Sequence, residues 1–253
     1  MSEEVTTIIL AAGKGTRMKS DLPKVLHLLG GKPMLSYPIT LARRVNSHRI
    51  IVVVGHQSHL VRESFPDPDL LFVEQGEPLG TGHAVFCAFS HLQNVAGLAL
   101  ILCGDVPLLR SSTVKAMMDY HRREKSIVTV MTTALLHPGS YGRVIRDEAG
   151  RVKKIVEAKD AAPRELGINE INTGIYCADL SFLSFAVTKI KNTNAQGEYY
   201  LTDIMAIAYE RGLQTAAFFV DDPCEVMGIN TPEELKKAET FLARGNICLK
   251  SAL

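Results

Sequence analysis

Residues 6–18 read "TTIILAAGKGTRM", a short apolar run that breaks into a loop with two glycines, two cations and a threonine. An apolar segment of this length suits a strand buried on both faces, as in a parallel sheet. The loop after it suits an anion, because glycines let backbone amides approach one closely. It fits neither standard phosphate template. A Walker loop needs four residues between its first glycine and a Gly-Lys-Ser/Thr ending, whereas Gly13 and Gly15 are too close. The dinucleotide fingerprint needs a small residue where Met18 stands, and an acid closing a second strand roughly 20 residues on. Lys14 and Arg17 in the loop, with Lys24 just beyond it, suit a triphosphate whose leaving pyrophosphate gains charge.

The pattern repeats outward from this stretch. Strands are expected at 5–10, 49–54, 70–73, 98–103 and 126–133, with helices near 33–46, 57–64, 81–92 and 111–124. Such alternation predicts right-handed βαβ units: an α/β, Rossmann-like, mostly parallel mixed sheet with helices on both faces. Beyond residue 134 the rhythm changes. "YGRVIRDEAGRVKKIVEA" (141–158) reads as two strands joined by a turn at Asp147–Gly150, and "EINTGIYCA" (170–178) and "TAAFFV" (215–220) supply more strands. This part reads as a mixed-sheet lobe within one domain. Pro38 is awkward within the 33–46 helix, where its ring costs a backbone bond. In "NTPEELKKAETFLARG" (230–245), Thr231, Pro232 and Glu234 form a capping box, and Gly245 offers a stop.

Composition narrows the function. With 28 Lys+Arg against 27 Asp+Glu there is no basic footprint for nucleic acid or an anionic membrane. The start "MSEEVTT" is unlike a signal peptide, and the longest apolar runs are too short to span a bilayer. Five cysteines without a C-x-x-C indicate neither a disulfide framework nor a zinc site, so a reducing, cytoplasmic setting is expected. His56 and His59 have helix-face spacing but no third ligand nearby, and read as an exposed polar pair.

Asp105 ends the apolar run "LALILCGDVPLL" (98–109). It would stand where ligands collect in a parallel sheet, either capping the next turn or anchoring Mg²⁺. The motifs "LAAGKGTRM" (10–18), "LPKVL" (22–26), "GEPLGTGHAV" (76–85), "CGDVPLL" (103–109), "YGRV" (141–144), "IVEAKDA" (155–161), "INTGIY" (171–176), "NAQGEYYLTDI" (194–204) and "GIN" (228–230) stand in that order. Together they resemble the sugar-1-phosphate nucleotidyltransferases, and most closely the uridyltransferase domain of the bacterial N-acetylglucosamine-1-phosphate uridyltransferase family, over about residues 5–235.

The resemblance implies the nucleotide-diphospho-sugar transferase fold as one domain over 1–235. Its nucleotide lobe would take about 1–110 and 214–230 and its sugar lobe about 111–213, with a C-terminal helix and tail at 231–253. It implies uridylyl transfer from UTP to N-acetyl-α-D-glucosamine 1-phosphate, feeding peptidoglycan, lipopolysaccharide and other cell-wall precursors. Catalysis would fall to Arg17 and Lys24. Nucleotide binding would fall to Leu10, Ala11, Ala12, Gly13, Lys14, Gly15, Gln75, Gly80 and Thr81. Mg²⁺ would sit on Asp105 and Asn230, and the sugar on Gly142, Glu157, Asn172 and Tyr199, with Lys159 near its phosphate. The Gln75 amide, with one donor and one acceptor, would match uracil O4 and N3–H. Three departures from the family pattern stand out. Cys103 replaces an aromatic residue, Met227 replaces an acid, and no hexapeptide repeats of a left-handed β-helix follow. Acetyl transfer and oligomerisation through such a helix are therefore not expected of this chain. Two rivals are a related transferase for another base or sugar, and a nucleotide-sugar sensor that does not turn its ligand over.

Overall fold

A computed structural model describes residues 3–92 and 96–243. The chain runs β1 (Val5–Ala11), a ribbon of β2 (Leu28–Leu29) and β3 (Lys32–Pro33), α1 (Ser36–Arg44), β4 (Arg49–Val54), α2 (Ser58–Ser64), β5 (Leu70–Glu74), α3 (Thr81–Ala88) and β6 (Leu98–Cys103). It continues through α4 (Ser111–Arg123), β7 (Val128–Ala134), β8 (Arg143–Arg146), β9 (Val152–Val156), α5 (Pro163–Leu166) and β10 (Glu170–Asp179). Last come α6 (Leu180–Val187), α7 (Asp203–Glu210), β11 (Thr215–Phe219), α8 (Pro223–Val226) and α9 (Pro232–Ala243).

The main sheet has the order β11-β7-β10-β6-β1-β4-β5, with β8 and β9 branching from β10. β1, β4, β5 and β6 are parallel, β10 runs against its neighbours β6 and β7, and β8 runs against both β10 and β9. A mostly parallel mixed sheet was expected, and its strands fall within a residue or two of the expected limits. The alternation of burial explains why. Ile9, Val52, Leu100 and Leu102 face one core with α1, α2 and α4, while Ile8, Ile51, Val53 and Ile101 face a second with α3, α6 and α7. Each such aliphatic side chain removed from water contributes about 1.5–3 kcal/mol, which fixes both faces of the sheet.

The differences have local causes. Pro38 lies in the first turn of α1, which begins at Ser36, so its missing N–H breaks no helical bond. α3 ends at Ala88 and tightens into a 3-10 turn over Phe89–His91. α6 ("LSFLSFAV") and α7 ("DIMAIAYE") lie outside the expected helices; each spans only eight residues and buries one face, Leu180, Leu183 and Val187 in α6 and Ile204, Met205 and Ala208 in α7. The Asp147–Gly150 turn forms as expected, with Gly150 at φ +80°. The Thr231–Glu234 capping box is present, the Glu234 N–H donating to Thr231 Oγ1 at 3.1 Å and the Glu234 carboxylate accepting from the Thr231 N–H at 3.1 Å. The expected stop at Gly245 lies outside the described residues. Cys87, Cys103 and Cys177 are free thiols. Cys224 is disulfide-bonded, a bridge that the cysteine spacing did not signal. Among the described residues no helix is long and apolar enough to cross a membrane.

Chain order places β4 and β5 on one side of β1 and β6 on the other, so the winding reverses between β1 and β6. A crevice opens outside the carboxyl ends of strands at such a point. Antiparallel β10 starts where β6 finishes, which brings Asn172 to the same edge. The loop leaving β1 is held close to the end of β4, since a Cβ on Gly55 would stand 2.5 Å from the Ala12 carbonyl oxygen.

Gly55→Ala should therefore destabilise the fold by about 1–3 kcal/mol in chemical denaturation, because the clash is with backbone. Asp203 supplies a second test. Burial, assisted by the Asp160 charge, raises its carboxyl from 3.8 to about 6. Charging it therefore penalises the folded state, and the penalty grows as pH rises from 3.8 through about 6. Asp203→Asn should melt about 2–5 °C higher than the parent at pH ~8, with the gain vanishing near pH ~4.

Candidate active site

Ten of the expected residues line one cavity of ≈370 Å³ at the switch point. Leu10, Ala11, Ala12, Gly13 and Lys14 come from the end of β1, Gln75, Gly80 and Thr81 from the loop between β5 and α3, and Lys24 and Asp105 from either side of the crevice. A larger groove of ≈1030 Å³ along β5 and α3 carries none of the expected residues.

The two loop glycines serve different purposes. At Gly13 a side chain would meet only open space, which leaves its backbone accessible. Gly15 sits at φ +62°, and a Cβ there would lie 2.6 Å from that of Lys24. Its bareness lets the loop close over Lys24. The Lys24 ammonium donates to Asp105 Oδ2 and, at 3.0 Å, to Asn230 Oδ1. Three segments far apart in sequence thus meet on one charge. Asp105 follows β6, whose end is tied to β1 by the Gly104 N–H donating to the Leu10 carbonyl at 2.8 Å. Asn230 is held from both sides: the Ile229 N–H donates to the Asp105 carbonyl at 2.8 Å, and the Asn230 N–H donates to Glu234 at 2.6 Å. Ile229 also packs with Leu29, Met34 and Ala238, so docking of α9 fixes the position of the asparagine.

Two hard oxygen donors that converge on one ammonium suit a hard cation. Among the described residues no three His, Cys, Asp or Glu side chains cluster as a metal site. Mg²⁺ accepts so sparse a set because it retains water and takes phosphate oxygens. The residues therefore fit the ion, on the condition that Lys24 releases them.

Gln75 is buried, and its amide nitrogen lies 3.0 Å from the Gly80 carbonyl oxygen and 3.1 Å from His83 Nδ1. The expectation that this amide would offer both a donor and an acceptor is corrected. Its N–H groups face those partners, and the carbonyl oxygen alone is left for a ligand. Gly80 and Thr81 open α3, where helix geometry leaves backbone N–H groups without intrahelical partners. Gly80 (φ +108°) must be bare, since its Cβ would stand 2.6 Å from the Tyr199 carbonyl oxygen.

On the β10 side, Gly142, Glu157 and Asn172 come together. The Asn172 N–H donates to the Gly142 carbonyl at 2.9 Å, and a Cβ on Gly142 would lie 3.3 Å from Glu157 Oε1. Glu157 accepts from the Thr202 hydroxyl at 3.3 Å, and burial raises its carboxyl above the ordinary value. Asn172 Oδ1 accepts from the Gly174 N–H and the Tyr176 hydroxyl, which turns its amide nitrogen outward as a donor. Tyr199 is placed differently. Its ring lies 6.3 Å from that of His83 and lines a separate cavity with Phe86, while the Tyr200 hydroxyl donates to Asp160. Arg17 is exposed on the turn Thr16–Met18 and does not line the cavity. Lys159 pairs with Gln196 at 2.6 Å.

Several residues here lie within the quoted motifs but were not singled out. Tyr141 bridges the two halves: its phenol, pushed up to about 12 chiefly by burial, bonds the Gly228 backbone near Asp105. Buried Arg143 donates to the Tyr141 carbonyl and, at 3.0 Å, to that of Gly139, stapling the loop before Gly142. His83 is a polar residue on the mostly apolar α3, a hint that the motif alone could have supplied.

The model of the MobA-like NTP transferase domain matches residues 7–165. The bifunctional protein GlmU of Geobacter metallireducens is 52% identical over 239 residues, which are 94% of this chain and 50% of that protein. The corresponding protein of Clostridium novyi is 44% identical over 237 residues, 94% of this chain and 52% of that protein. In Desulfotalea psychrophila the identity is 45% over 235 residues, 93% of this chain and 69% of that protein. The chain spans about half the length of most of these curated relatives. A match over most of the sheet and identity near one half across nearly the whole chain leave one assignment: this chain belongs to the MobA-like NTP transferase domain family, as a nucleotidyltransferase domain of the GlmU kind.

Proposed function

We propose that this domain transfers a uridylyl group from UTP to N-acetyl-α-D-glucosamine 1-phosphate, releasing pyrophosphate and forming UDP-N-acetylglucosamine. The observation that carries this reading is the single cavity that unites a backbone-lined cation loop, an amide carbonyl for a base, and the Lys24–Asp105–Asn230 cluster. A sensor would need no such charge cluster where a leaving group departs. The resemblance of the motifs to the uridyltransferase family and the identity to GlmU proteins support the same substrates.

In this reading the loop Leu10–Gly15 cradles the triphosphate, and Lys14 and Arg17 neutralise its tail. The Gln75 carbonyl accepts uracil N3–H, and backbone N–H groups at Gly80 and Thr81 meet a carbonyl of the base. Cytosine at that position turns an acceptor toward an acceptor, which opposes binding. Gly142, Glu157 and the Asn172 amide nitrogen hold the sugar; Tyr199 contributes through its backbone turn beside Gly80 and Gly82.

An oxygen of the sugar phosphate attacks the α-phosphorus in line, forming one P–O bond as the bond to pyrophosphate breaks. A phosphate monoester loses its second proton near pH 6, so the nucleophile arrives ionised and no general base is required. The protein's task is to align two anions and offset their charge. Magnesium held by Asp105 and Asn230 would supply further neutralisation of the phosphates when bound. Asp105 and Asn230 would hold it with the two oxygens that Lys24 now pairs with, and the Lys24 ammonium, released from them, would face the phosphates.

Pyrophosphate release from UTP, dTTP, CTP and GTP, each with N-acetylglucosamine 1-phosphate and glucose 1-phosphate, tests the assignment. We expect release with UTP and the N-acetyl sugar, its loss on chelation and its return with Mg²⁺. Silence with every pair would defeat the enzyme reading, and preference for another base would defeat the uridylyl assignment. Lys24→Ala should lower turnover about 10²–10³-fold with a smaller change in KM. It should also reduce the Mg²⁺ needed for half-saturation, because the competing ammonium is gone. Intact turnover with weakened UTP binding would contradict that role.

A further inference from the structure

We infer that Glu198 is a specificity residue of the same cavity, its carboxylate accepting from the ribose 2′-hydroxyl of the nucleotide. The inference rests on the proposed uridylyl transfer. Glu198 lines the cavity beside Pro78, Gly80 and Thr81. Of the two acids in that lining, Asp105 is paired with Lys24. Glu198 is not: among the described residues no donor meets its half-buried carboxylate. Its backbone is nevertheless fixed. The Glu198 N–H donates to Asn194 Oδ1 at 3.2 Å, and its carbonyl accepts from Asn194 Nδ2 at 2.6 Å. The next residue is laced to the base loop, the Tyr199 N–H donating to the Leu79 carbonyl at 2.8 Å and the Gly82 N–H to the Tyr199 carbonyl at 2.7 Å. A Cβ on Gly80 would stand 3.0 Å from that of Glu198, so the acid rises directly beside this glycine. A carboxylate on a pinned backbone, with nothing of its own chain to bond, is an acceptor held ready for a ligand.

The donors on the nucleotide decide what it accepts. A uridine nucleotide offers the N3–H of its base and the 2′- and 3′-hydroxyls of its ribose, while its ionised phosphates only accept. The Gln75 carbonyl already answers N3–H, which leaves the hydroxyls to the carboxylate. The base edge facing Gly80 and Thr81 ends at the C2 carbonyl, and in an anti nucleoside the 2′-hydroxyl lies beside that carbonyl. One methylene beyond its Cβ, the Glu198 carboxylate reaches that flank. It also repels phosphate, which keeps the triphosphate at the Lys14 and Lys24 end of the cavity. Dinucleotide-binding sheets take the ribose with an acid that closes the second strand. Here β4 runs instead into Gly55, His56 and Gln57, and a far later segment supplies the acid.

UTP and dUTP differ only in that hydroxyl. The test is the ratio of kcat/KM for UTP to that for dUTP, with N-acetylglucosamine 1-phosphate as acceptor, read beside the acceptor KM and thermal melting. The parent should prefer UTP about 10–100-fold, the size of one hydrogen bond to a charged group. Glu198→Gln keeps an oxygen acceptor without its charge and should hold the ratio at about 3–10. Glu198→Ala should bring it to about 1 with acceptor KM and Tm unchanged, because the lost carboxylate bonded no other group of the protein. If the Ala variant melts early, the near-isosteric Gln variant carries the test. A parent indifferent to the 2′-hydroxyl, or an unchanged ratio in the variants, overturns the inference and leaves uridylyl transfer standing. A raised acceptor KM with the ratio intact assigns the carboxylate to a hydroxyl of the acceptor sugar and overturns the ribose contact. A parent that releases no pyrophosphate from any nucleotide overturns the underlying function and this inference with it.

Discussion

The ammonium of Lys24 is the point on which the site depends. It joins an aspartate 81 residues away and an asparagine 206 residues away. Each partner arrives on a different support: Asp105 on the central strand β6, Asn230 on the cap of α9, and Lys24 on a turn that Gly15 allows to close. A charge pair half-sheltered from water gains little stability for its own sake. Its value lies in geometry, since it gathers two oxygens and a cation at the edge where β1 and β6 part. A ligand that offers phosphate and metal meets that arrangement ready-made.

Around that point the sheet supplies rigidity. The parallel strands β6, β1 and β4 at its centre are buried on both faces, so their ends are fixed by packing on two sides. Loops leaving those ends inherit the precision of the strands, while their own chemistry stays free to vary. The inserted strand β10 runs the opposite way and thereby delivers Asn172 to the same edge from a remote part of the chain. One continuous sheet therefore carries both the glycine loop after β1 and the second group of polar residues, with Tyr141 and Arg143 holding the junction.

Polar side chains in the site act through orientation as much as identity. Gln75 and Asn172 are both amides, with opposite ends exposed. Gly80 and His83 absorb the nitrogen of the first, and Gly174 and Tyr176 absorb the oxygen of the second. An acceptor is thus presented on one side of the crevice and a donor on the other. Neither orientation can be read from a glutamine or an asparagine in a sequence, because the free amide is symmetric in its options.

The sequence by itself determined the parallel sheet, its strand limits, the capping box of α9 and most of the residues that line the cavity beside Lys24. These follow from hydrophobic periodicity, turn chemistry and motifs that are local in the chain. It did not signal α6 and α7, which span only eight residues each, two turns in which an apolar stripe has little room to repeat. Nor could it show that Gly15 is bare for the sake of Lys24, that Gln75 presents only its carbonyl, that Tyr199 turns toward His83, or that Arg17 stands outside the cavity. Those outcomes were decided in the folded chain, by contacts between groups as near in sequence as Gln75 and Gly80 or as far as His83 and Tyr199, where steric exclusion and the pairing of buried donors with acceptors leave one arrangement.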